Sequence, residues 1–389
     1  MNLSKFENIL LVDEVIIEGS RLTVKYIITG GWRKYFNAGT DFTVEYSEDI
    51  SATPESIAVL PFLCNVLPIA WVCNACVVVP ELDFDFHNHL AQIKQGYIDM
   101  YPRIDFGGAL IVGKLVERDY KTCAETAAFF SGGVDSFDTL IAHVDEHPTL
   151  ITLLGSDVKL TDKAGWERVS KHARETAAQF GCKNLFIASN FRLFLNEGAL
   201  SNLVMPRAND GWWHGFQHGI GIISHAAPYA YLHKLKTIYI ASTHSKEFTV
   251  TCASDPTIDN HVHIGKCATV HDGYEFSRQD KIRRICEYKR ATGTPIQLRV
   301  CWISSGGQNC CACEKCYRTI CGILAEGDNP KEMGFPSYSL EWLRQNFPKP
   351  GFLSQTTFIF WQNIQARFRE RPENLPKDLD WLMGVEFHG

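Results

Sequence analysis

The chain has 389 residues, of which 45% are hydrophobic and 21% charged, and its formal net charge is -6. A soluble globular mixture of this length buries a sizeable core, so neither disulfides nor a metal are needed merely to fold it. Lys and Arg are scattered rather than gathered into a basic stripe, which disfavours tRNA or duplex DNA as a partner.

In chain order, the opening Met1-Asn2-Leu3-Ser4-Lys5-Phe6 lacks the basic, apolar and cleavage regions of a signal peptide. A cytoplasmic protein is therefore expected, and its fourteen cysteines point to metal, catalysis or core positions rather than to disulfides. Alternating patterns at 22–28 and 41–46 predict half-buried antiparallel strands, with helices near 54–66 and 86–99. Residues 1–112 are read as an N-terminal α+β domain of unknown role. The apolar stretch 57–79 is long enough to span a membrane. Pro61, Asn65, Pro68 and Asn74 interrupt it, and acidic Glu81 and Asp83 follow, so a buried helix leading into a strand is the better reading.

From Thr126 the pattern changes. Short apolar runs at 127–130, 150–154, 184–188 and 237–241 alternate with helical patterns at 136–146, 163–180 and 213–233, predicting an α/β domain with a parallel sheet covered on both faces. Residues 113–325 form this domain. Residues 326–389 form a helical C-terminal extension, with helices near 339–347, 356–370 and 377–383.

Phe129-Phe130-Ser131-Gly132-Gly133-Val134-Asp135-Ser136 runs from a strand through a Gly-Gly turn into a helix. The glycines let the backbone approach an anion, and amides of the turn and helix N-terminus then face phosphate oxygens. Ser131 and Ser136 add hydroxyl donors. No Lys follows the glycines, so this is not a Walker loop. Further on, Cys301, Cys310, Cys313 and Cys316 are spaced C-x8-C-x2-C-x2-C. Four thiolates so placed suit a closed structural Zn²⁺ site, or alternatively an iron–sulfur cluster. Cys311 and Cys321 fall outside that pattern and are read as packing.

The loop resembles, residue for residue, the SGG-x-DS loop of the PP-loop ATP pyrophosphatases, whose fold is adenine nucleotide alpha hydrolase-like and Rossmann-like. Together with the cysteines it resembles the 7-cyano-7-deazaguanine synthase (QueC) family. The resemblance implies ATP held at Ser131, Gly132, Gly133, Val134, Asp135 and Ser136, with Asp135 helping to organise Mg²⁺ and pyrophosphate. It implies a 7-carboxy-7-deazaguanine substrate, activated as an adenylate and converted with ammonia to an amide and then a nitrile. Met205-Pro206-Arg207-Ala208-Asn209 is similar to the family's Pro-x-Arg-Asn substrate loop, which implies binding roles for Arg207 and Asn209. Ser277-Arg278-Gln279-Asp280 is similar to its Thr/Ser-Lys-x-Glu segment, which gives Arg278 a catalytic role on phosphate, and Arg318 falls where the family often has Arg. The resemblance covers about residues 126–325, and the longer outline is similar to members in anti-phage defence operons. There a protein amine is the alternative acceptor.

Other residues are weighed individually. Asp157 follows the second parallel strand, where adenine or ribose contacts collect. His214, His218 and His225 lie near one helix face, as a second metal site, as substrate contacts or, preferred here, as ordinary surface or hydrogen-bonded histidines. Trp212 and Trp213 suit stacking on a heterocycle or core packing. Asp255 and Asp259 are read as solvated loop carboxylates. Phe358, Phe360 and Trp361 are read as core or as a homodimer contact. Two rival functions stay open: sulfur transfer to RNA, for which Cys123, Cys182 or Cys252 would be the reactive thiol, and a non-catalytic nucleotide-binding scaffold.

Overall fold

The computed structural model describes residues 5–118, 121–248, 250–301 and 306–387. Ten strands form one sheet in the order β10-β9-β6-β7-β8-β3-β2-β1-β4-β5. The central strands β6 (Thr126–Phe129), β7 (Thr149–Leu154), β8 (Asn184–Ser189), β9 (Thr237–Ala241) and β10 (Ala268–Asp272) are mutually parallel. Every residue of β6 and β7 is buried, as a strand covered by helices on both faces demands. Chain order runs outward from β6 through β7 and β8 on one side and through β9 and β10 on the other. The crevice at the carboxyl ends of β6 and β9 is thus a topological switch point, where open α/β sheets bind ligands. This α/β arrangement is compatible with a Rossmann-like domain.

The front region does not build a sheet of its own. Its strands β1 (Ile9–Glu18), β2 (Arg21–Thr29) and β3 (Phe42–Tyr46) form the expected antiparallel ladder, and β4 (Cys76–Asp83) and β5 (Ala109–Val116) continue it in parallel. The ladder then joins the central sheet, because β3 pairs antiparallel with β8. Polar groups fix that seam: the Thr43 amide donates to Asn190, and the Ser47 amide donates to the Phe186 carbonyl and the Tyr229 hydroxyl.

The apolar stretch that begins near residue 57 becomes the buried helix Leu60–Val72, followed by β4. Asn65 is tolerated there because its amide donates to the Pro61 and Gly221 carbonyls while its oxygen accepts from Gln217. Among the described residues no helix is long and apolar enough to cross a membrane.

The C-terminal extension packs into the second hydrophobic core. Trp361, Ile364, Phe368, Leu379 and Leu382 pack with Phe137, Ile282 and Ile320, which belong to the helices behind the Gly-Gly turn. The paired carboxylate of Glu326, fully buried, is held by Arg367 from the extension at 2.9 and 2.8 Å.

Candidate functional site

The Gly-Gly turn leaves β6 at the switch point and enters the helix Val134–Ala142, whose N-cap is Gly133. Gly132 has φ +78°, and a Cβ there would lie 2.8 Å from the His172 ring, so both conformation and space require glycine. The Ser131 and Ser136 hydroxyls are 3.3 Å apart across the turn, and the Gly133 amide donates weakly to Ser131 Oγ at 3.4 Å. Arg299 braces the turn from behind: its amide donates to the Gly132 carbonyl and its Nε to the Ser131 carbonyl. The amides of the first helical turn have no partners within the helix, which leaves them available to an anion.

Around Asp135 the chain gathers four cations from two helices. Arg278 opens the helix Arg278–Thr292, fixed by a Ser277–Asp280 capping box, and donates to Asp135 at 3.1 and 3.3 Å. Lys281, one turn on, lies 3.9 Å from Asp135 and donates to the Ser242 carbonyl. Lys315 and Arg318 come from the helix Glu314–Ala325. Burial opposes ionisation of Asp135, but Arg278, Lys281, Lys315 and Arg318 together hold it below the usual carboxylate range. The cations suffer in turn. Burial and the like charges of Arg278 and Arg318 bring Lys315 down to about 8, and burial with Arg278 brings Arg318 down to about 10. Glu314 partly offsets them, 3.6 Å from Arg318. Among the described residues Nε of Arg278 is buried without a hydrogen-bond partner, and Nε of Arg318 faces the Glu314 carboxylate at 3.6 Å. Four cations around Asp135 and Glu314 make a cluster that favours a polyanion.

Asp157 lies exposed just beyond β7, and its charge acts on Lys315 and Arg299. Arg207 and Asn209 lie elsewhere. The segment expected as a substrate loop is instead the last turn of the helix Glu197–Ala208, with Asn209 as its left-handed C-cap. Pro206 is accommodated there, near the end of the helix. Both residues line a separate cleft of about 330 Å³ with Met100, Tyr101 and Arg103.

The four cysteines converge. Cys301 and Cys313 sulfurs are 3.9 Å apart, Cys310 and Cys316 sulfurs 3.8 Å, and all four lie within 4.8 Å of one another. A single tetrahedral ion with metal–sulfur bonds of about 2.3 Å separates its sulfurs by about 3.8 Å, so the cluster fits one ion such as zinc. A multi-iron cluster, whose thiolates bind different irons, would spread them further. Cys313 is the N-cap and Cys316 lies in the first turn of the same helix that carries Lys315 and Arg318. Metal ligation and the cationic pocket thus share one element. The aromatic tail supports it too: Trp361 donates to Glu314 at 2.9 Å, and Phe360 lies under the Arg318 guanidinium at 4.2 Å. Trp361 is fully buried, so it is core rather than a dimer contact.

Two further readings are corrected. Asp259 is not a solvated loop carboxylate; it is fully buried, paired with His271 at 2.8 Å and with Ser254 at 2.7 Å. Asp255 caps the short helix Pro256–Asp259. Of the three histidines, His225 is a core residue bound to the Gly221 carbonyl and Ser189. His214 and His218 instead gather around Cys252, with His244 beside them. Burial would raise the Cys252 thiol, but hydrogen bonds from His214 and His218 bring it down to about 6. By contrast burial pushes Cys182 up to about 11, and Cys123 donates to the His233 and Lys234 carbonyls. Trp212 is buried against Phe216, whereas Trp213 meets His218 edge-on and carries the Arg192 guanidinium. Lys315, Arg299 and the Cys252 group were not assembled from sequence, since no local spacing joins them. Comparison with family models, curated proteins and solved structures finds no significant match to any of them.

Proposed function

We propose that the chain is a PP-loop ATP pyrophosphatase that adenylates a small carboxylate, with 7-carboxy-7-deazaguanine as the substrate to test first. One observation carries this reading: a buried cation cluster gathered around Asp135, just after the Ser-Gly-Gly turn, in which Arg278 Nε has no hydrogen-bond partner among the described residues. The turn amides, Ser131 and Ser136 would hold the β- and γ-phosphates. Arg278, Lys281, Lys315 and Arg318 would take up the charge that develops on the leaving pyrophosphate. Asp135 would share Mg²⁺ with the phosphate oxygens once a bound polyanion neutralises Arg278 and Lys281, which hold its carboxylate in the free protein.

In the reaction a carboxylate oxygen attacks the α-phosphorus, the α–β anhydride bond breaks, and pyrophosphate leaves. An amine nitrogen then attacks the acyl carbon and loses a proton as AMP departs. The amine is ammonia or that of a protein acceptor, as in a defence-associated conjugation. Catalysis rests on positioning and charge stabilisation. Transfer of sulfur to RNA is the second reading; Cys252 is the candidate thiol that its surroundings activate, while the net charge of -6 opposes an RNA partner.

The test is incubation of the protein with Mg-ATP and 7-carboxy-7-deazaguanine, with and without ammonia, with nucleotides and base followed by mass spectrometry. AMP that forms only with the base supports the reading. A parallel incubation replaces the base with RNA, and AMP that forms only there overturns that reading in favour of sulfur transfer.

A further inference from the structure

Cys252 follows β9 on a loop, His244 lies earlier on the same loop, and His214 belongs to the π-helical segment Trp213–Gln217. Their ligand atoms lie within 4.8 Å of one another, and Cys252 is 4% exposed. Asp210 accepts from His214 Nδ1 at 2.9 and 3.1 Å, and Asp210 is itself held by the Tyr101 hydroxyl at 3.0 Å. The carboxylate fixes the ring and leaves Nε2 as the nitrogen free to ligate, the arrangement that supports metal-bound histidines. Among the described residues His244 Nδ1 is buried with no hydrogen-bond partner, a costly state that a bound cation would relieve. The Ser254 amide donates to Cys252 Sγ at 3.4 Å, a usual companion of a ligating thiolate.

We propose that Cys252, His214 and His244 form a second metal site, distinct from the four-cysteine centre, which takes a zinc-like divalent transition ion. One sulfur and two imidazole nitrogens are the wrong donors for Mg²⁺ or Ca²⁺ and the right ones for Zn²⁺. Three protein ligands leave a fourth tetrahedral position, as in zinc sites that exchange a ligand rather than merely brace a fold. His244 feels the charges of Asp135 and Arg318. His218, with Nδ1 3.9 Å from Cys252 Sγ, lies outside the ligand set. The inference rests on this geometry alone and is independent of the adenylation reading.

Metal content of the full chain, purified without chelators from zinc-supplemented cells, is the measurement. Two equivalents per chain are expected, falling to one in Cys252→Ser and in His244→Ala. Asp210→Asn keeps all three ligands and should weaken the second equivalent about 10- to 100-fold in a chelator competition. Should the ligand variants fail to fold, zinc titrated into the metal-stripped wild type must show two classes of site. A single equivalent in wild type, unchanged by Cys252→Ser, overturns the proposal. Rapid alkylation of Cys252 in zinc-replete protein overturns it as well and assigns the thiol a nucleophilic role.

Discussion

Replacing Arg278 with methionine removes the guanidinium but keeps much of its stem. The side chain is 3% exposed and links Asp135 to Thr319, with Nε left unpartnered. A hydrogen bond to a charged group contributes about 1.5–3 kcal/mol, so the loss of one or two contacts to a phosphate costs about 2–5 kcal/mol. Pyrophosphate and ATP should then bind about 30- to several-thousand-fold more weakly. The ligand-free protein should suffer less. Asp135 keeps Lys281, Lys315 and Arg318 around it, and the last two are relieved of the like charge that now depresses them. We expect its stability to change by less than about 2 kcal/mol, against the about 3–5 kcal/mol typical of a broken isolated buried pair. Calorimetric titration with pyrophosphate, beside thermal melting with and without it, separates the two effects. A folded variant that binds pyrophosphate like the wild type would refute the reasoning, and the cations would then be an internal ion network.

Other predictions follow from neighbouring features. Cys316→Ser should abolish tight zinc binding at the four-cysteine centre, loosen the helix Glu314–Ala325 and remove polyphosphate binding with it; metal analysis and pyrophosphate titration read this, with a stability loss of up to about 10 kcal/mol. Arg367→Ala leaves the buried Glu326 carboxylate with Gln279 alone among the described residues, and should cost about 3–5 kcal/mol in urea unfolding. Burial holds His225 neutral, with its pKa down from 6.5 to about 4. The unfolded chain therefore takes up a proton below about pH 6.5 that the folded chain refuses, so stability is intact above that pH and falls as pH drops toward about 4. Between about pH 7.5 and about pH 5 this group should remove about 2 kcal/mol, and His225→Asn should flatten that part of the stability profile. An unchanged slope would contradict it.

The parallel core was legible because β6 to β9 are short, mostly apolar or β-branched runs separated by long helical patterns. The phosphate turn was legible because its residues are contiguous. β10 escaped notice: Ala268-Thr269-Val270-His271-Asp272 carries polar side chains that are needed inside, where His271 pairs with Asp259. The seam between β3 and β8 is backbone pairing, which leaves no spacing to read. Arg207 and Asn209 were drawn into the site by a local likeness, but a helix end carries them to another cleft. The group at Cys252 unites the helix around His214 with the loop that carries His244 and Cys252, and only the fold brings them within reach.

The seam has a consequence for dissecting the protein. Cutting between residues 112 and 126 would not release two finished halves. Each fragment would end in a new sheet edge, β3 on one and β8 on the other, with the amides and carbonyls that join 44–46 to 187–189 left unpaired. Such open edges recruit one another. Isolated halves should therefore precipitate or cross-pair when expressed alone, and recover solubility when both are made in the same cell.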